Sequence, residues 1–100
     1  MKIMRKSFFL ASFFVIATFG KAPKIAYFAP VPPPPDRVEV RSLPPEPGDV
    51  WLDGYWAYDG GHHVWRDGHW EKPPRPKAHY VEPRWWRKGN QYAFREGYWK

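Results

Sequence analysis

One hundred residues carry 16 Lys and Arg against 10 Asp and Glu, for a formal charge of +6, with 13 prolines, 7 tryptophans and no cysteine. That length allows one small domain at most, which excludes a multidomain enzyme, a Rossmann domain and a TIM barrel. Without cysteine there is neither a disulfide framework nor a thiolate zinc site to support a small core.

The first six residues include Lys2, Arg5 and Lys6, and residues 7–19 follow without a charge. A short cationic stretch before an apolar run of this length is the pattern of an export signal. It is too short to cross a bilayer core comfortably, which takes about 20 residues. Residues 1–20 are therefore expected to form a signal helix, cleaved between 17 and 26, and the protein to be exported to the periplasm or cell envelope. If uncleaved, this segment would be its membrane contact. A lipoprotein anchor is excluded, because no cysteine follows the run. Removing residues 1–20 leaves thirteen positive side chains against ten negative ones, interleaved in sequence. That is not the dense basic footprint of a nucleic-acid binder, so no nucleic acid is expected as a partner.

Residues 21–47 hold nine of the prolines, four of them consecutive at 32–35. Proline lacks the amide donor and fixes φ, so this stretch is expected to be an extended, semi-rigid spacer. Val38, Val40 and Leu43 allow a short edge strand around 37–42.

Residues 48–100 are expected to form the domain, and they are repetitive. An aromatic opens each of four units at Trp51, Trp65, Tyr80 and Phe94, and a tryptophan closes each at Trp56, Trp70, Trp85 and Trp99. The spacings are 14, 15 and 14 residues for both series, and a longer period of 29 relates the first two units to the last two. Between the aromatics an acidic residue precedes Gly54, Gly68, Pro83 or Gly97. Such a register marks a structural repeat. These residues resemble the WXXGXW (YXWGXW) repeat family of small exported bacterial proteins, over Gly48 to Lys100. Pro83 in place of glycine, Tyr80 and Phe94 in place of the opening tryptophan are departures from its pattern. The resemblance implies an envelope setting and no settled biochemical activity.

The aromatic and β-branched content favours strands. Asp59-Gly60-Gly61 and Lys88-Gly89-Asn90 are hairpin turn sequences. An all-β antiparallel meander follows: about four kinked strands near 49–58, 62–71, 78–87 and 91–99, in two hairpins around an aromatic core. The two aromatics of a unit lie five apart and would face opposite sides of a regular strand. A bulge at the Gly or Pro would return them to one face. The alternative makes Asp53-Gly54 a type I′ turn, pairing Trp51 with Trp56. Pro83, fixed at negative φ, argues against that turn in the third unit.

Catalytic residues are not expected. Asp53, Asp67, Glu82 and Glu96 recur at one structural position, whereas an acid–base pair needs two different environments. Ser occurs only at 7, 12 and 42. His63 and His69, six apart, would share a face only without a kink at Gly68, so no metal and no cofactor are expected. Two functional readings remain. One is a non-catalytic structural or interaction protein serving another envelope protein. The other is a carbohydrate or peptidoglycan module that stacks sugar rings on exposed aromatics.

Overall fold

The computed structural model describes residues 21–100; the expected signal segment, residues 1–20, lies outside them. Among the described residues there are nine strands and no helix. They are β1 (Ile25–Ala29), β2 (Val50–Leu52), β3 (Tyr55–Asp59), β4 (His62–Arg66), β5 (His69–Glu71), β6 (Tyr80–Val81), β7 (Arg84–Lys88), β8 (Gln91–Arg95) and β9 (Tyr98–Trp99).

Two hairpins account for eight of them. In hairpin 1, β3 pairs with β4 and β2 with β5, all antiparallel. In hairpin 2, β7 pairs with β8 and β6 with β9. Both turns are two-residue loops of the kind expected. Gly60 and Gly61 have φ of 63° and 86°, which only glycine adopts without strain, giving a type I′ turn. Gly89, at φ 67°, is the first central residue of the second loop, as a type II′ turn requires.

Each long strand is interrupted where the sequence predicts a kink, but the kink is not a bulge. Leu52 pairs with His69 and Tyr55 with Arg66, so two residues on each strand lie between the ladders and the register carries straight through. Hairpin 2 behaves alike: Val81 pairs with Tyr98 and Arg84 with Arg95. The reason is that unit faces unit. The Asp53-Gly54 break sits opposite the Asp67-Gly68 break, both strands change side together, and no extra residue is needed. A tight turn at Asp53-Gly54 is ruled out, since β2 and β3 do not pair with each other.

The consequence is four cross-strand ring pairs, each joining the opening aromatic of one unit to the closing tryptophan of its neighbour. Trp51 meets Trp70 at 5.5 Å and Trp56 meets Trp65 at 5.2 Å, both edge to face. Tyr80 meets Trp99 at 5.3 Å, and Trp85 meets Phe94 at 4.9 Å. These are the separations at which aromatic pairs contribute about 0.5–1.5 kcal/mol beyond area burial.

Residues 21–47, expected as an extended spacer, pack against both hairpins. Ile25–Ala29 forms β1, which pairs with β8 and makes the chain's one three-stranded sheet, β1-β8-β7, among the described residues. The prolines begin again at Pro30 and end it. Tyr27 from β1 stacks on Phe94 at 4.9 Å, and Tyr55 from hairpin 1 stacks on Phe94 at 5.9 Å. Phe94 is fully buried where the two hairpins and β1 meet. Ala29 and Ala57 are also buried, each two residues along its strand from the tyrosine that stacks on Phe94 and so on the same side.

The 29-residue period has a physical counterpart. Trp70 Nε1 donates to Ser42 Oγ at 3.0 Å, and 29 residues later Trp99 Nε1 donates to Glu71 Oε2 at 3.1 Å. The turn at Glu46-Pro47-Gly48-Asp49, closed by Asp49 N to Glu46 O at 3.2 Å, recurs as Arg75-Pro76-Lys77-Ala78, closed at 3.3 Å. Each unit thus leans on the chain that precedes it: hairpin 2 on hairpin 1, and hairpin 1 on residues 35–42.

Candidate functional site

Residues 35–42 cross the tryptophan face of hairpin 1 as an extended strap. Arg37, Glu39 and Arg41 turn inward with the period of two of an extended chain, and Ser42 at its end also faces the hairpin. Trp56 Nε1 donates to the Pro35 carbonyl at 3.2 Å. The Arg37 guanidinium sits 5.1 Å from the Trp56 ring and 5.7 Å from the Trp65 ring, and Arg41 sits 5.9 Å from Trp51. These are cation–π distances. Ser42 receives Trp70 as described. All four tryptophans of hairpin 1 therefore touch the strap and share one face, as the repeat reading requires.

At the centre lies Glu39. Its Oε1 accepts the Gly54 amide and its Oε2 the Gly68 amide, each at 2.8 Å. The break in the ladder is what frees these two amides, and a backbone donor away from water needs a partner. The carboxylate supplies it to both strands at once. The Gly68 and Gly54 amides hold the Glu39 carboxyl below its ordinary value.

The repeat glycines now have a stated reason. An ideal Cβ at Gly54 would come 2.5 Å from Trp65 Cζ2, 2.6 Å from the Arg66 carbonyl oxygen and 2.8 Å from Glu39 Oε1. At Gly68 the neighbours are Trp51 Cζ2, Glu39 Oε1 and the Leu52 carbonyl, at 2.6, 2.7 and 2.8 Å. The glycines are there for closeness, not for a special φ. In hairpin 2 the corresponding pair is Pro83 and Gly97. Pro83 has no amide hydrogen, so no carboxylate can bridge the two strands there. Instead the Tyr80 side chain lies against Gly97. Burial pushes the Tyr80 phenol well above its ordinary range, with Tyr55 and Glu71 adding to it.

The recurring acids have dissimilar surroundings despite their common position. Asp53 Oδ1 accepts Trp51 Nε1 at 2.7 Å. Glu82 is raised by burial and by the nearby Asp53 and Asp36 carboxylates. Burial also raises Glu96. The expectation that periodic copies share one environment is therefore corrected: neighbouring units, not the motif, set each carboxyl's surroundings.

The histidines do not form a common site. His63 Nε2 lies 3.0 Å from the Val31 carbonyl oxygen, with its ring against Tyr58 and Trp85. His69 Nε2 lies 3.3 Å from Glu71 Oε1 on the exposed surface. Among the described residues no group of three or more His, Cys, Asp or Glu could hold a metal ion.

The strap itself was missed in the sequence as a functional element. The signal was present in the alternation of Arg37, Glu39 and Arg41 with Val38 and Val40, a two-residue period inside a proline-rich stretch. No curated protein and no solved structure matches the chain. Residues 48–71, the strands of hairpin 1 with their ring pairs and glycine breaks, match the WXXGXW repeat family as two copies, and the chain carries that repeat.

Proposed function

We propose that this chain is an exported, non-catalytic interaction protein of the bacterial cell envelope. One observation supports this reading above others: the repeat aromatics are used up in building the fold. Trp51, Trp56, Trp65, Trp70, Tyr80, Trp85, Phe94 and Trp99 are engaged in four ring pairs. What the fold presents outward is a different set. Phe28, 41% exposed, and half-buried Trp86 flank the fully buried Ala93 on the outer side of β1-β8-β7. Arg84 lies over Trp86 at 5.7 Å on the same face. Apolar rings beside a cation on this sheet face suit association with another envelope protein.

A carbohydrate reading is favoured by one residue. Trp86 stands 29 residues after Ala57, and Ala57 is buried in the core. A tryptophan at that position offers a planar ring outward for a sugar. Retention on insoluble cell-wall glycan that vanishes in Trp86→Ala would select this alternative, whereas equal release of both proteins would leave the association reading. Export is tested by sequencing the N-terminus of the chain recovered from the envelope fraction. A start between residues 18 and 27 is expected, and chain confined to the cytosol with Met1 intact would refute it.

A further inference from the structure

The strap is bound the way a ligand is bound. Among the described residues, no backbone–backbone hydrogen bond holds residues 36–43. They are held by side chains and by single carbonyl and amide contacts: Pro35 with Trp56, Glu39 with the two glycines, and Ser42 with Trp70. The outward side chains make almost no contact, with Val38 98%, Val40 93% and Leu43 88% exposed. Prolines at 32–35 and at 44, 45 and 47 flank the segment and keep it extended when free. A pre-extended segment loses little freedom on binding, which is how proline-rich ligands dock into aromatic grooves.

The receiving surface is equally specific. Two amides from opposite strands converge on one carboxylate between the Trp51 and Trp65 rings, and side chains larger than hydrogen are excluded at both glycines. Hairpin 2 has the rings but, with Pro83, lacks the paired amides. The described chain therefore holds one such site and one matching strap.

We propose that the tryptophan face of hairpin 1, centred on the Gly54 and Gly68 amides, is a binding site for an extended, proline-led segment that presents one glutamate between two arginines. In this chain its own strap fills the site, and the strap of a second copy takes its place. With one strap and one site per copy, exchange closes as a reciprocal pair. The tethered strap competes at an effective concentration on the order of millimolar, so exchange is favoured where copies are concentrated.

The probe is a synthetic peptide of residues 33–43, added to the full chain while the Gly54 and Gly68 amide resonances are followed. In wild type, both resonances move only at roughly millimolar peptide. In Glu39→Gln, whose strap no longer presents a carboxylate, they move at ~10- to 100-fold lower concentration. A peptide with glutamine at position 39 binds weaker by a similar factor. If neither resonance moves at several millimolar in wild type, or if the two peptides bind alike, the site does not exist. The second-copy assignment is tested by light scattering of the wild type alone. A mass that doubles with concentration and reverts on adding excess peptide supports it, and a monomer up to millimolar overturns it.

Discussion

Replacing Gly68 with alanine separates two reasons for glycine that the repeat motif alone does not distinguish. The new methyl would lie 2.6 Å from Trp51 Cζ2, 2.7 Å from Glu39 Oε1 and 2.8 Å from the Leu52 carbonyl oxygen. The first two can swing aside, at the expense of the Trp51–Trp70 pair or the Glu39 bridge. The carbonyl belongs to the facing strand and cannot move without opening the hairpin. Overpacking of this kind costs about 1–3 kcal/mol. Alanine recovers ~0.4–1 kcal/mol, because it restricts the unfolded chain and the native φ at Gly68 suits it. A net loss of about 1–2 kcal/mol lowers Tm by ~5–15 °C for a domain of this size. Gly61 is the control: nothing lies within 4 Å of its Cβ direction, but its φ is 86°. There asparagine, which tolerates left-handed backbone, should be better than alanine. At Gly68 the larger asparagine should be worse than alanine. Thermal melts followed by near-ultraviolet circular dichroism give both orders. The reasoning fails if Gly68→Ala melts within ~2 °C of the parent, or if the two positions rank alanine and asparagine the same way.

Three further outcomes are expected. Lys77, at φ 67°, occupies the place that Gly48 holds at φ 89° in the equivalent turn. Lys77→Gly should therefore raise stability by about 1 kcal/mol, and an unchanged urea midpoint would contradict the strain. Burial raises the Tyr27, Tyr55 and Tyr80 phenols in the folded state. The native chain then keeps protons that the unfolded chain releases from about pH 10. Stability is complete below that value and declines as pH rises through the folded values, so urea midpoints should fall steeply above ~pH 10 and less steeply in Tyr80→Phe. Glu39 is lowered in the folded state, so its contribution is present above about pH 4.3 and is lost as pH falls through its folded value. Faster exchange of the Gly54 and Gly68 amides on acidification, relative to the Gly60–Gly61 turn, is the readout; a Glu39→Gln protein showing the same acid response would refute the link. Glu82 and Glu96 act in the opposite sense, because their folded values are raised and their protonation favours the native state as pH falls.

Much of the fold was legible in the residues. Glycines at 60, 61 and 89 mark the hairpin turns because positive φ is a local property that few other residues tolerate. The equal spacing of Trp51, Trp65, Tyr80 and Phe94 marked the strands, because units of equal length placed back to back around a two-residue turn put like residues opposite each other. The kink was legible for the same reason. Its form was not: a bulge follows from considering one strand, and a symmetric break follows only when the opposite strand carries the same break. The site was the least legible part. Glu39 is 15 residues from Gly54 and 29 from Gly68, and nothing in the repeat announces a carboxylate from outside it.

The amino-acid order alone thus determined where the strands and turns of the two hairpins lie, since turn chemistry and period act over a few neighbouring residues. Only the tertiary structure decided which side of each hairpin is covered, and by what. The strap, β1 and the union of the hairpins at Phe94 depend on contacts across tens of residues. There, surface shape and two freed amides select the partner, and no local propensity encodes that choice.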